Sequence, residues 1–275
     1  MIHILIKLFK FILVIFFITN GAYGKDALII GTSTSAYDSG LADYISDAYR
    51  KKFNSEIYFI SKATGQILEI AKRGDVDIVI VHNKSLEENF IKKGFGFKRY
   101  QLMYNNFVIV GPKHDPADVK YTDTAIGAMR SIAESESIFV SRSDLSGTNL
   151  RELGLWESAG IKIELLLDRY KKIGAGMGYA LKFTNDVGGY TLTDKATWES
   201  FKHKSNLKIL FDADIELLNQ YSIILNKNGN NYNLGETFME WMLSDEGKEI
   251  INGYKINNHQ IFFFNGDTYI KINNE

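Results

Sequence analysis

The chain has 275 residues, enough for one large domain or two modest ones, and its 45% hydrophobic and 24% charged residues are ordinary for a globular protein. A formal net charge of −1 gives no attraction for a polyanion, so no nucleic-acid partner is expected. The absence of cysteine excludes disulfides, thiolate metal sites, cysteine nucleophiles and the lipid-bearing cysteine of a lipoprotein.

The first element in chain order is a leader. Lys7 and Lys10 precede the apolar run "FILVIFFI", Phe11 to Ile18, and small residues follow in "GAYG". This is the pattern of a secretory signal peptide over residues 1–24, too short to be a membrane anchor. Its removal takes away two lysines and no acids, leaving 30 basic and 33 acidic residues, net −3. The expectation is an exported, periplasmic, monomeric protein without a lipid anchor. Any anion site in it must be built locally, because the overall charge repels anions.

The apolar run Ala27 to Ile30 predicts a buried strand. Leu41, Ile45, Tyr49 and Phe53 recur every fourth residue and predict a helix. A second strand is expected near Ile57 to Ile60. A short helix with Ile67, Ile70 and Ala71 stops at Gly74, and a third strand runs from Ile78 to Val81. This alternation implies a parallel sheet with helices on both faces. "NNFVIVGP" is a strand running into Pro112. "ESIFV" is a strand feeding a helix with Leu150, Leu153 and Trp156 on one face, ended by Gly160. "AGMGYALKF" opens a helix, "GGYTLTD" is a short strand, Lys195 to Phe201 a helix and "NLKILFD" a strand. "NQYSIILNKNG" repeats the plan of "NNFVIVGPK", with a polar start, an aromatic residue and a β-branched run. The pairing suggests that the chain crosses twice between two lobes. A helix bearing Phe238, Trp241 and Met242 closes the series.

Four stretches rich in glycine and hydroxyl residues lie where strands meet helices: "GTSTS", "ATGQ", "SRSDLSGT" and "GAGMG". Ligands of open α/β sheets gather at the carboxyl ends of strands, and helix N-termini there suit anions. Each stretch also has a structural reading. Ser35 with Asp38, and Asn149 with Glu152, fit capping boxes. Arg142, just after an apolar strand, offers a planar fork of donors to an oxyanion. Its competing reading is a surface ion pair with Asp144. His82 ends the third strand, and a structural role is expected for it. No G-x-S-x-G, H-E-x-x-H or Walker motif is present, so no enzyme constellation emerges.

The segments "TSTSAYDSGL", "TGQILEIAKRGDVDIVIVH", "YNNFVIVGP", "VSRSDLSGT", "GAGMGYAL" and "YTLTD" together resemble the tungstate-binding proteins of ABC transporters, a branch of the type II periplasmic binding proteins. The likeness covers nearly all of the mature chain, with Ser33 at the second position of the family's usual T-T-T-S run. The resemblance implies a two-lobed α/β fold, each lobe a mainly parallel sheet flanked by helices, joined by two crossover strands. Lobe one would be 25–108 and 222–275, and lobe two 109–221. It implies no cofactor and a tungstate or molybdate ligand held by Thr34, Ser35, Thr64, Gly65, Arg142, Ser146, Gly147 and Thr148. Gly176 and Met177 would add backbone N–H groups. The implied partner is an ABC permease in the inner membrane. Phosphate-binding proteins resemble this chain at "SRSDLSGT", but they carry an aspartate after the third strand to accept the proton of hydrogen phosphate. Here that place reads His82–Asn83. A phosphate- or sulfate-binding protein, or a periplasmic enzyme on the same scaffold, stays as the alternative.

Overall fold

The computed structural model describes residues 27–269; the expected signal peptide lies outside them. Strand β1 (Leu28–Ser33) lies between β2 (Ile57–Lys62) and β3 (Ile78–Val81), parallel to both. Helices α1 (Thr34–Asp38), α2 (Leu41–Phe53), α3 (Thr64–Lys72) and α4 (Lys84–Lys92) connect and flank them. The unbroken "IVIV" of β3 reflects burial on both faces. Ile78 and Ile80 pack with Leu28, Ile30, Ile45 and Tyr49 on one side, and Val79 and Val81 with Ile67, Leu68 and Phe90 on the other. Each such side chain contributes about 1.5–3 kcal/mol on burial. Gly31 allows the close approach of α3, since a Cβ there would stand 2.8 Å from Ile67 Cγ2. Helix α4 was not anticipated. Asn83 caps it by accepting from Leu86 N at 3.0 Å, while Glu87 Oε1 accepts from Asn83 N at 2.6 Å.

The strand expected to run into Pro112 is longer than its apolar part. Strand β4 spans Gly96–Pro112, because its first half alternates buried Tyr100 and Leu102 with half-buried or exposed polar residues. From Gly96 to Asn106 it pairs antiparallel with β9 (Leu218–Asn226). From Phe107 to Pro112 it pairs with β7 (Thr191–Asp194) and β8 (Leu207–Phe211). One strand therefore serves two hydrophobic cores. In the second, Phe107 and Ile109 face Phe139, Trp156 and Tyr190, while Val108 and Val110 face Leu181, Trp198 and Leu207.

Around this second core lie α5 (Ala125–Glu134), β5 (Phe139–Ser141), α6 (Gly147–Ser158), β6 (Tyr170–Lys172), α7 (Met177–Val187) and α8 (Lys195–Ser200). Strands β5 and β6 are parallel. The architecture is α/β, with parallel strands flanked by helices and antiparallel strands at the junction. The last described helices lie on the first core. Helices α9 (Tyr232–Met242) and α10 (Asp245–Gly253) return there, and Phe238 and Trp241 pack tilted and edge-on against Tyr49, with ring centroids 5.7 and 5.5 Å away.

Candidate functional site

The carboxyl ends of β1 and β3 bring Ser35 and His82 together. Helix α1 begins at Thr34 with Ser33 as N-cap, so Ser35 already lies inside the helix and cannot cap it. The capping box expected of Ser35 and Asp38 therefore does not form. Ser35 Oγ, buried, instead meets Tyr221 Oη at 3.0 Å, Ser33 Oγ at 3.2 Å and His82 Nε2 at 3.4 Å. Thr34 beside it is half-buried. His82 lies flat against Tyr221, with ring centroids 4.8 Å apart, and its Nδ1 is 2.7 Å from Asn219 Oδ1. Burial lowers the His82 pKa to about 4, against the pull of the Asn219 bond, and the Arg142 charge acts in the same direction as burial. The ring is neutral at neutral pH.

The second half of the site is the loop between β5 and α6. Arg142 is only 4% exposed. Its expected pairing with Asp144 is present but is not a surface contact: Asp144 Oδ2 accepts from Nε at 3.1 Å and from Nη2 at 2.6 Å. Asp144 Oδ1 also accepts from Ser146 N at 3.1 Å. Ser143 and Leu145 on either side take φ of 50° and 57°, a left-handed strain that the surrounding bonds must hold. The guanidinium is thereby oriented before any ligand arrives. Its charge acts on Asp38, His82 and Asp194, lowering the pKa of each.

The other capping box is also replaced. Ser146, not Asn149, caps α6 by accepting from Asn149 N at 3.3 Å. Glu152 points inward, where its carboxylate accepts from Ser141 Oγ at 2.6 Å, Trp156 Nε1 at 3.1 Å, Asn149 Nδ2 at 3.2 Å and the Tyr170 hydroxyl. This turns the buried line of α6 to Asn149, Glu152, Leu155 and Trp156, leaving the expected Leu150 and Leu153 half-buried. Burial raises the Glu152 pKa, and the four donors hold it down. Glu152→Ala would strand four donors around a cavity. We expect it to destabilise the fold by about 3–5 kcal/mol, read as a lower urea midpoint at neutral pH.

The remaining candidates divide sharply. Thr64 opens α3 and Thr148 is the second residue of α6; they are 0% and 2% exposed. Neither hydroxyl has a hydrogen-bond partner within the protein. Buried polar groups of folded proteins are almost always paired, so two such hydroxyls at helix N-termini are donors available to an acceptor. Gly147 closes the gap between the halves: a Cβ there would lie 2.4 Å from His82 Cε1. Gly65 is half-buried beside Thr64. Gly176 is exposed at the N-cap of α7, and the Met177 side chain packs among Val108, Val110 and Trp198. Among the described residues no hydrogen bond joins these two to the other candidates.

The chain matches the PBP superfamily domain over residues 20–246. It is 37% identical over 236 residues to the tungstate-binding protein TupA of Peptoclostridium acidaminophilum, covering 84% of this chain and 82% of that one. It belongs to this family. The solved tungstate ABC transporter structure from Geobacter sulfurreducens superposes with a TM-score of 0.76 at 38% identity, over 84% of this chain and 99% of that one. The tungstate-binding protein TupA of Desulfovibrio alaskensis also gives 0.76, at 34% identity, over 88% and 99%.

Sequence reasoning missed Asn105, Asp194, Asn219 and Tyr221, all buried behind Ser35 and His82. A signal for three of them was visible: the asparagines stand in the polar starts of the two matching strands, and Asp194 ends "YTLTD". Nothing in the local pattern separated them from strand-end polar residues.

Proposed function

We propose that this protein is the periplasmic substrate-binding component of an ABC transporter. It binds tungstate, or molybdate of the same charge and shape, in a cleft between two lobes and delivers it to a membrane permease. The observation that carries the reading is the pair of buried hydroxyls without a protein partner, Thr64 and Thr148, together with the buried, oriented Arg142. Such a set offers donors and one full positive charge to an acceptor-only dianion. Thr34, Ser35, Gly65, Ser146 and Gly147 complete the ligand set in this reading, and Gly176 and Met177 contribute backbone N–H groups. The lobes are 25–108 with 222–275, and 109–221, hinged where β4 and β9 cross. His82–Asn83 stand where a hydrogen-phosphate site needs a carboxylate, and an unpaired P–OH against a donor costs about 1–3 kcal/mol. This disfavours phosphate, and no catalytic constellation is proposed.

Titration calorimetry with tungstate, molybdate, sulfate and phosphate tests the assignment. A melting assay gives the same ranking. A ligand at a thousand times its Kd stabilises by about 4 kcal/mol, and each kcal/mol is about 2–4 °C in a protein of this size. At that excess tungstate is expected to raise the melting temperature by on the order of 10 °C, molybdate by as much or less, sulfate little and phosphate least. A phosphate shift larger than the tungstate shift overturns the assignment.

A further inference from the structure

Behind the site runs a buried chain of polar side chains that reaches both cores through both shared strands. Asn105 on β4 and Asn219 on β9 stand opposite each other in register, and Asn219 Nδ2 donates to Asn105 Oδ1 at 2.7 Å. On one side Asn105 Nδ2 faces Asp194 Oδ1 at 3.5 Å, at the end of β7. On the other, Asn219 Oδ1 faces His82 Nδ1 at 2.7 Å, and His82 Nε2 faces Ser35 Oγ at 3.4 Å. All five residues are at least nine-tenths buried.

The chain has a direction, and Asp194 sets it. The Asp194 carboxylate caps α8, accepting from Thr197 N at 3.0 Å and from the Thr197 hydroxyl. Burial raises its pKa, while the Thr197 bonds and the Arg142 charge favour the ionised form, which can only accept. Asn105 must therefore turn its NH2 toward Asp194 and its oxygen toward Asn219. Asn219 must then give its NH2 to Asn105 and its oxygen to His82. His82 in turn must carry its hydrogen on Nδ1, leaving Nε2 bare toward Ser35. The same Asn219 NH2 lies 3.4 Å from Tyr221 Oη. Tyr221 accepts there, and we assign its own hydrogen to Ser35 Oγ, its other partner, at 3.0 Å. An acceptor position on Ser35 is filled from behind. Its one hydrogen is left for Ser33 Oγ at 3.2 Å, for His82 Nε2 at the longer 3.4 Å, or for a ligand in the cleft. Reversing any amide would set oxygen against oxygen in a buried place, at the cost of an unmet polar group.

We infer that Asp194, Asn105, Asn219, His82 and Tyr221 form a positioning relay that fixes Ser35 as a hydrogen-bond donor and so makes the site select proton-free oxyanions. The inference rests on the proposed oxyanion site for its ligand, but not for its wiring. Its first prediction needs no ligand. At neutral pH, long-range proton–nitrogen correlation spectra of the 15N-histidine-labelled protein, with His82 assigned by His82→Gln, are expected to show the Nδ1–H form of His82. Free histidine favours the other tautomer, so an Nε2–H ring in the wild type overturns the relay.

Asp194→Asn keeps the shape and the helix cap but removes the acceptor-only end. It is expected to shift His82 substantially toward Nε2–H, although three hydrogen bonds separate the two residues. Asn219→Ala is the second variant and is expected to do the same by removing the acceptor from Nδ1. A folded Asp194→Asn protein that keeps pure Nδ1–H overturns the assignment of direction. In calorimetry the ratio of tungstate to phosphate affinity is expected to fall about tenfold in Asp194→Asn, the loss of roughly one oriented hydrogen bond. A redistributed tautomer with an unchanged ratio overturns the link to specificity. Failure of the wild type to bind tungstate would instead strike the proposed ligand and leave the tautomer result intact.

Discussion

Replacing Arg142 by alanine is expected to weaken tungstate binding by about 2–5 kcal/mol, the usual cost of removing one partner from a buried, hydrogen-bonded charge pair. That is roughly 30-fold to several thousand-fold in Kd. The residue is 4% exposed, and Asp144 grips its Nε–Nη2 edge. Its loss removes a charge whose orientation is already set by two left-handed residues, Ser143 and Leu145. Arg142→Lys is expected to recover only part of the affinity, because an ammonium keeps the charge but not the planar fork. Because Asp144 would lose its partner as well, the variant's urea midpoint is measured alongside. Wild-type affinity in a folded Arg142→Ala protein would remove Arg142 from the site.

Gly147→Ala is expected to weaken binding by about 1–3 kcal/mol through closure rather than through a lost contact. The added Cβ would sit 2.4 Å from His82 Cε1 and 2.8 Å from both ring nitrogens. His82 cannot easily yield, since Asn219 holds Nδ1 and Tyr221 backs the ring. In small-angle scattering the variant is expected to keep a larger radius of gyration at saturating tungstate than the wild type. His82→Ala in the same chain is expected to restore closure by opening the space. Gly154→Ala is the control: it lies in the same helix with nothing within 4 Å of its Cβ position, and alanine is the better helix former. A Gly147→Ala protein that closes and binds like the wild type would show that the glycine is no contact of closure.

Much of this molecule was legible in the order of its residues. The unbroken "IVIV" of β3 and the four-residue spacing from Leu41 to Phe53 are local patterns. Strands buried on both faces and helices buried on one face write themselves into hydrophobic periodicity. The hydroxyl-rich loops at strand ends were legible for the same reason, because their position follows from the alternation of strand and helix. Family likeness turned those loops into named candidates.

Tertiary structure alone decided which of the candidates meet. A serine or asparagine followed three residues later by an acid reads as a capping box whether or not the acid turns back. Glu152 turned inward because Ser141, Trp156 and Tyr170, brought together only by folding, offered it donors at a buried point. Asn105 and Asn219 are 114 residues apart, and nothing local marks one as the partner of the other. Hydrogen-bond direction is equally non-local: the proton on His82 depends on a carboxylate at the end of a strand in the other core. Periodicity reports which face of an element is buried. Which polar atoms share that burial, and which of them donates, is settled by the packing of elements far apart in the chain.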